Sequence, residues 1–80
     1  MKIYDFNGKK NICGERIREA RLKLRFSQTN LAVRLKLEGV ELERDSISRI
    51  EIGTRFVSDY ELRAFAKTLN VSPLWLLGME

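Results

Sequence analysis

Apolar residues in this chain recur three and four positions apart, in short blocks closed by helix-ending signals, and no stretch alternates long enough for a sheet. The clearest block is near the C-terminus. Ser58 and Glu61 have the spacing of a capping box, and Leu62, Phe65, Ala66 and Leu69 follow at i, i+3, i+4 and i+7. Asn70 suits the left-handed residue that ends such a helix. Upstream, Cys13, Ile17, Ala20 and Leu24 form one apolar stripe, with Glu15, Arg16, Arg18, Glu19, Lys23 and Arg25 mostly off it. Ser27 then offers an N-cap, Phe26 can staple against Leu31, and a second helix from Gln28 turns Leu31, Ala32 and Leu35 inward. That helix ends near Leu37 or Glu38, where Gly39 fits the left-handed stop. Val40, Glu41 and Leu42 alternate and read as extended. A third helix runs from about Arg44 to Glu51, with Ile47 and Ile50 inward and Gly53 beyond it. Ser72-Pro73 opens a short last helix, Leu74–Leu77, closed by Gly78. Five helices with short loops predict a compact all-α domain over residues 13–78. Residues 1–12 read as an arm, in which Asn7-Gly8 signals a turn and Lys9-Lys10 are free to trail as a flexible extension.

Composition narrows the chemistry. The 80 residues include no histidine, which removes Ser-His-Asp and Cys-His catalysis and the common zinc sites. Cys13 stands alone, fits a reducing compartment, and reads as a small core residue rather than a redox sensor. Met1-Lys2-Ile3-Tyr4-Asp5 has no signal-peptide stretch, and no run of apolar residues is long enough to span a bilayer, so a soluble cytoplasmic chain with no membrane partner is expected. With no phosphate-binding glycine loop and no metal-ligand cluster, the expectation is a non-enzyme without cofactor, metal or small-molecule ligand.

Charge is unevenly placed. Residues 1–37 carry ten Lys/Arg against three acids, a balance of +7, whereas residues 38–80 carry five against eight, a balance of −3. A basic half attracts a polyanion and gains from counterion release on binding phosphates. Those basic residues are spread around a helix instead of facing a wide apolar stripe, which favours nucleic acid over a membrane surface. The third helix is about two turns long and buries little besides Ile47 and Ile50, while Arg44, Asp45, Ser48 and Arg49 occupy its outer face. Those side chains suit base edges: arginine pairs bidentately with guanine, aspartate accepts from cytosine, and serine is permissive. An ordinary solvated face is the competing reading.

Three segments together carry a family resemblance: Ser27-Gln28-Thr29-Asn30-Leu31-Ala32; Ser46-Ile47-Ser48-Arg49-Ile50-Glu51-x-Gly53; and Leu62-x-x-Phe65-Ala66-x-x-Leu69-Asn70-Val71-Ser72-Pro73-Leu74-Trp75-Leu76-Leu77. In order and character they resemble the XRE family of helix-turn-helix regulators, whose fold is lambda-repressor-like. The resemblance spans roughly residues 13–78. It implies that the second helix lies across the phosphate backbone and the third enters the major groove of double-stranded DNA. Residue by residue, it implies that Ser27 and Gln28 meet a phosphate or an outer base. Arg44, Asp45 and Arg49 would touch base edges, with Ser46 and Ser48 as secondary contacts, and Thr54 and Arg55 would meet the backbone. Arg21 and Glu51 match a partly buried ion pair between the first helix and the end of the third. The residues themselves agree, since Arg21 interrupts an inward stripe and Glu51 follows Ile50.

The chain also departs from the family pattern. The bridge Leu37–Glu43 is longer than the common form, Glu43 stands where a serine cap is usual, and Ile52 replaces a polar residue. Asp45 and the glutamates of 38–43 bring negative charge towards DNA. Leu74, Trp75 and Leu77 crowd one short helix with more apolar surface than one side can bury, which suggests a homodimer interface. The reading is a DNA-binding transcriptional regulator, a repressor in preference to an activator because no second domain is visible, acting as a homodimer on a palindromic operator. The alternative is an antitoxin-like or other protein-interaction module, although no long tail follows Gly78 to hold a partner.

Overall fold

A computed structural model describes residues 5–80, and the first four residues of the expected arm lie outside the described region. Its helices are α1 (Gly14–Lys23), α2 (Gln28–Leu37), α3 (Arg44–Ile52), α4 (Asp59–Leu69) and α5 (Pro73–Leu76). α1 packs on α3, α4 and α5, while α2 packs on α3 and α4. Their shared core buries Ile17 from α1, Leu31 and Leu35 from α2, Ile47 and Ile50 from α3, Phe65 from α4 and Leu76 from α5. Each such side chain contributes about 1.5–3 kcal/mol when removed from water, so every helix is held chiefly by its inward stripe.

The helix ends follow local chemistry. Ser58 Oγ accepts from the Glu61 amide and the Glu61 carboxylate accepts from the Ser58 amide, closing the box that starts α4. α4 stops at Asn70, which takes φ +56°. α2 starts with a reciprocal cap of the same kind, Asn30 replacing the usual glutamate: Ser27 Oγ accepts from Asn30 N at 2.9 Å, and Asn30 Oδ1 accepts from Ser27 N at 3.2 Å. Glu43 gives α3 no side-chain cap, and Gly53 ends that helix at φ +90°. In the bridge between α2 and α3, Val40 and Leu42 are buried while Glu41 and Glu43 are exposed. The bridge is thereby sewn to the core at alternate positions.

Three expectations need correction. Leu24 does not complete the α1 stripe and is 42% exposed. α1 ends at Lys23, Leu24 is its cap, and Arg25 adopts φ +59°, so the chain turns before Leu24 comes round to the core. The last helix runs from Pro73 to Leu76, with Leu77 as its cap, because proline's fixed φ places it at the first helical position. Lys9 and Lys10 do not trail. Asn7 (φ +53°) and Gly8 (φ +80°) form a tight turn that pairs Phe6 with Lys9, the geometry of the primed hairpin turns. Lys10 N then donates to Gly53 O at 2.7 Å, and the two ammonium groups are taken up by Glu15 and Asp5.

Candidate nucleic-acid interface

The buried ion pair is the foundation of the site. Arg21 Nε donates to Glu51 Oε2 at 2.7 Å and Arg21 Nη2 to Glu51 Oε1 at 3.0 Å, with the two side chains 9% and 4% exposed. Arg21 Nη1 donates to Phe26 O at 2.8 Å, tying the α1–α2 turn to the same group. A charge pair taken from water is tolerable only with this degree of hydrogen bonding. Glu51 Oε1 also accepts from Gln28 Nε2 at 3.1 Å, and Gln28 Oε1 accepts from Arg44 Nη1 at 3.3 Å. One chain of hydrogen bonds therefore runs from α1 through the end of α3 to the start of α2 and back to the first residue of α3.

Helical spacing sorts the rest of α3. Ile47, Ile50 and Glu51 face inward, so Asp45 and Arg49, four residues apart, share the middle of the outer face. Both are exposed, and neither side chain has a partner among the described residues. Arg44 is exposed at the edge of that face, and Ser46 and Ser48 are half-buried on its flanks. Ile52 is also outward and 61% exposed. Gln28 and Ser27 sit beside Arg44 at the start of α2, where free amides and the helix dipole favour an anion. Ser27 Oγ and Ser27 N are both taken up by the reciprocal cap with Asn30, so that residue offers neither a free hydroxyl nor a free amide. Thr54 follows Gly53 in the next loop, where its amide and hydroxyl both donate to Arg49 O at 2.8 and 3.3 Å.

A family model described as a helix-turn-helix domain matches residues 13–74. The chain belongs to the helix-turn-helix family. Two solved structures show the XRE, lambda-repressor-like form of that family. The P22 c2 repressor protein, solved in complex with a synthetic operator, shares 33% identity at a TM-score of 0.71, covering 88% of this chain and 98% of that one. The restriction-modification controller protein C.AhdI from Aeromonas hydrophila shares 31% identity at a TM-score of 0.70, covering 80% of this chain and 89% of that one. No curated protein sequence matches the chain.

Within this helix-turn-helix frame, one assigned side chain goes elsewhere. Arg55, expected at the DNA backbone, points its guanidinium at Glu61: Nη1 and Nη2 donate to the two carboxylate oxygens at 3.0 and 3.2 Å, and Nη1 also donates to Phe56 O. A capping glutamate left buried needs a cation, and Arg55 is within reach. Burial alone would raise the Glu61 carboxyl, but the hydrogen bonds from Arg55 and the Ser58 amide outweigh it and hold the group below its ordinary value. Sequence reasoning missed this pair because residues six apart with a loop between them leave no periodic signal.

It also missed Asn11. That side chain donates from Nδ2 to Ile50 O at 3.0 Å and to Arg55 O at 2.8 Å, while its Oδ1 accepts from Gly14 N at 2.8 Å. The only hint was an asparagine shortly before a helix start. Of the residues expected at a homodimer surface, Leu74 is exposed and Trp75 and Leu77 are half-buried, with the Arg16 guanidinium 4.8 Å from the Trp75 ring centre. Among the described residues no helix is long and apolar enough to cross a membrane.

Proposed function

We propose that this helix-turn-helix protein is a sequence-specific DNA-binding transcriptional regulator, a repressor that binds a palindromic operator as a homodimer. The observation that carries the reading is the outer face of α3, where Arg44, Asp45 and Arg49 stand exposed beside the start of α2, with Gln28 linking the two helices. A major groove about 12 Å wide admits one helix, and such a face supplies donors and an acceptor to base edges. Gln28 and the amides after Ser27 then lie against the adjacent phosphates, with Thr54 in the loop just past the end of α3. The synthetic operator held by the P22 c2 repressor supports the same assignment. Two subunits would meet through Leu74, Trp75 and Leu77 and set their α3 helices roughly 34 Å apart, one turn of DNA.

Selection of bound sequences from random duplexes, run at two salt concentrations, tests the reading. A recovered two-fold symmetric motif that persists at the higher salt supports it. Recovery of unselected sequences at low salt only would reduce the protein to a phosphate-binding bundle, or to a module whose partner is another protein.

A further inference from the structure

We propose that Asn11 is a positioning residue for the reading helix, one amide that caps α1 with its oxygen and holds the last turn of α3 with its nitrogen. The functional consequence rests on the DNA-binding reading above, whereas the clip itself does not. α3 needs such a hold. It has nine residues, its N-cap Glu43 makes no side-chain bond, and its last turn is closed only by the Gly53 and Thr54 amides, which donate to Arg49 O and Ile50 O. Asn11 Nδ2 adds a second donor to Ile50 O, from outside the helix, and ties down Arg55 O in the following loop with the same nitrogen.

The other end of the amide works on α1. Cys13, the N-cap of that helix, makes no side-chain cap bond, and Asn11 Oδ1 accepts from Gly14 N in its place. The two jobs fit one side chain because α1 starts against the backbone of α3. A Cβ on Gly14 would strike Ile50 O and crowd Asn11 Oδ1, so only glycine allows the approach. Lys10 N adds a bond to Gly53 O beside it, and the Lys9 side chain lies over Gly53. Residues 9–11 thus clip the end of α3 from a position 39 residues away in sequence.

Arg49 lies in the turn that the clip holds. Loosening that turn displaces a base-reading side chain without removing any positive charge. The expected signature is lost discrimination between duplexes while general attraction to phosphate persists.

Asn11→Asp separates the two jobs, since it keeps an acceptor for Gly14 N and replaces the amide donor with a carboxylate oxygen facing two carbonyls. Asn11→Ser, which brings no charge, is measured alongside and stands in if the aspartate variant does not fold. Amide hydrogen exchange on the full chain is expected to quicken at Gly53 and Thr54 and to stay unchanged at Ile17. Binding to a selected duplex relative to a scrambled one of equal length is expected to fall about tenfold, with affinity for the scrambled duplex of the serine variant kept within about twofold. Unchanged exchange at Gly53 and Thr54 overturns the clip. Faster exchange with discrimination intact, or equal losses on both duplexes, overturns the positioning role. A wild-type protein that discriminates between no duplexes counts against the DNA-binding reading instead, and the exchange result still decides the clip.

Discussion

Cys13 and Glu61 both leave solvent on folding, yet the fold drives their ionisation in opposite directions. Cys13 meets no cation among the described residues, and burial pushes its thiol up to about 11, so it stays protonated and unreactive at neutral pH. A thiol reagent is expected to modify the native protein far more slowly than the unfolded chain; equal rates would show that the site opens. Glu61 has Arg55, which keeps its carboxylate charged. Because its folded pKa lies below the usual value of 4.5, its stabilising effect is complete above that pH and is lost as acid protonates the folded form. The thermal midpoint of the wild type should therefore fall more between pH 6 and pH 3 than that of Glu61→Gln (roughly the interval in which carboxylates titrate). On the proposed reading face, Arg49→Ala should relax one operator position at a cost of about 1–3 kcal/mol, whereas Gln28→Ala should weaken binding to every sequence and additionally blur the position proposed for Arg44. Identical selected motifs for wild type and Arg49→Ala would remove Arg49 from the base contacts.

At the level of elements, the helices were legible wherever a stripe and a cap agreed. α4 had both, and its limits and inward residues Phe65, Ala66 and Leu69 are those its spacing announces. α1 had a stripe but no terminating glycine, and there the left-handed Arg25 cut the helix short of Leu24. The outer face of α3 could be read because it was polar where its length demanded little else. What could not be read depends on approach between distant segments: Asn11 reaching Ile50, Arg55 turning to Glu61, and Gln28 joining Glu51 to Arg44. No periodicity encodes those meetings, since loops set them. Gly14 belongs to the same class. Gly14→Ala should cost about 1–3 kcal/mol through overpacking against Ile50, although alanine favours a helix. Glu51→Ala, which leaves Arg21 buried without its partner, should cost about 3–5 kcal/mol. Chemical denaturation measures both, and a neutral result for Glu51→Ala would mean that water reaches Arg21.

The whole molecule is a set of helices with its basic excess in the first half of the chain and its proposed reading face at the junction of α2 and α3. One copy offers a single α3, which is why pairing matters to the proposed operator. Trp75→Ala is expected to raise the monomer fraction in sedimentation, and an unchanged mass would place the interface away from α5. The bridge between α2 and α3 bears on all of this. Leu42 and Val40 moor it to the core, Glu38 is hitched to Lys67 at 3.3 Å, and Glu41 and Glu43 line a groove that also includes Arg44. Those two carboxylates are exposed and form no hydrogen bond or ion pair among the described residues, so the segment behaves as a counterweight whose load can be altered with the scaffold left alone. Swapping both for lysine should tighten the grip on any duplex and narrow the gap between right and wrong sequences, trading selectivity for adhesion.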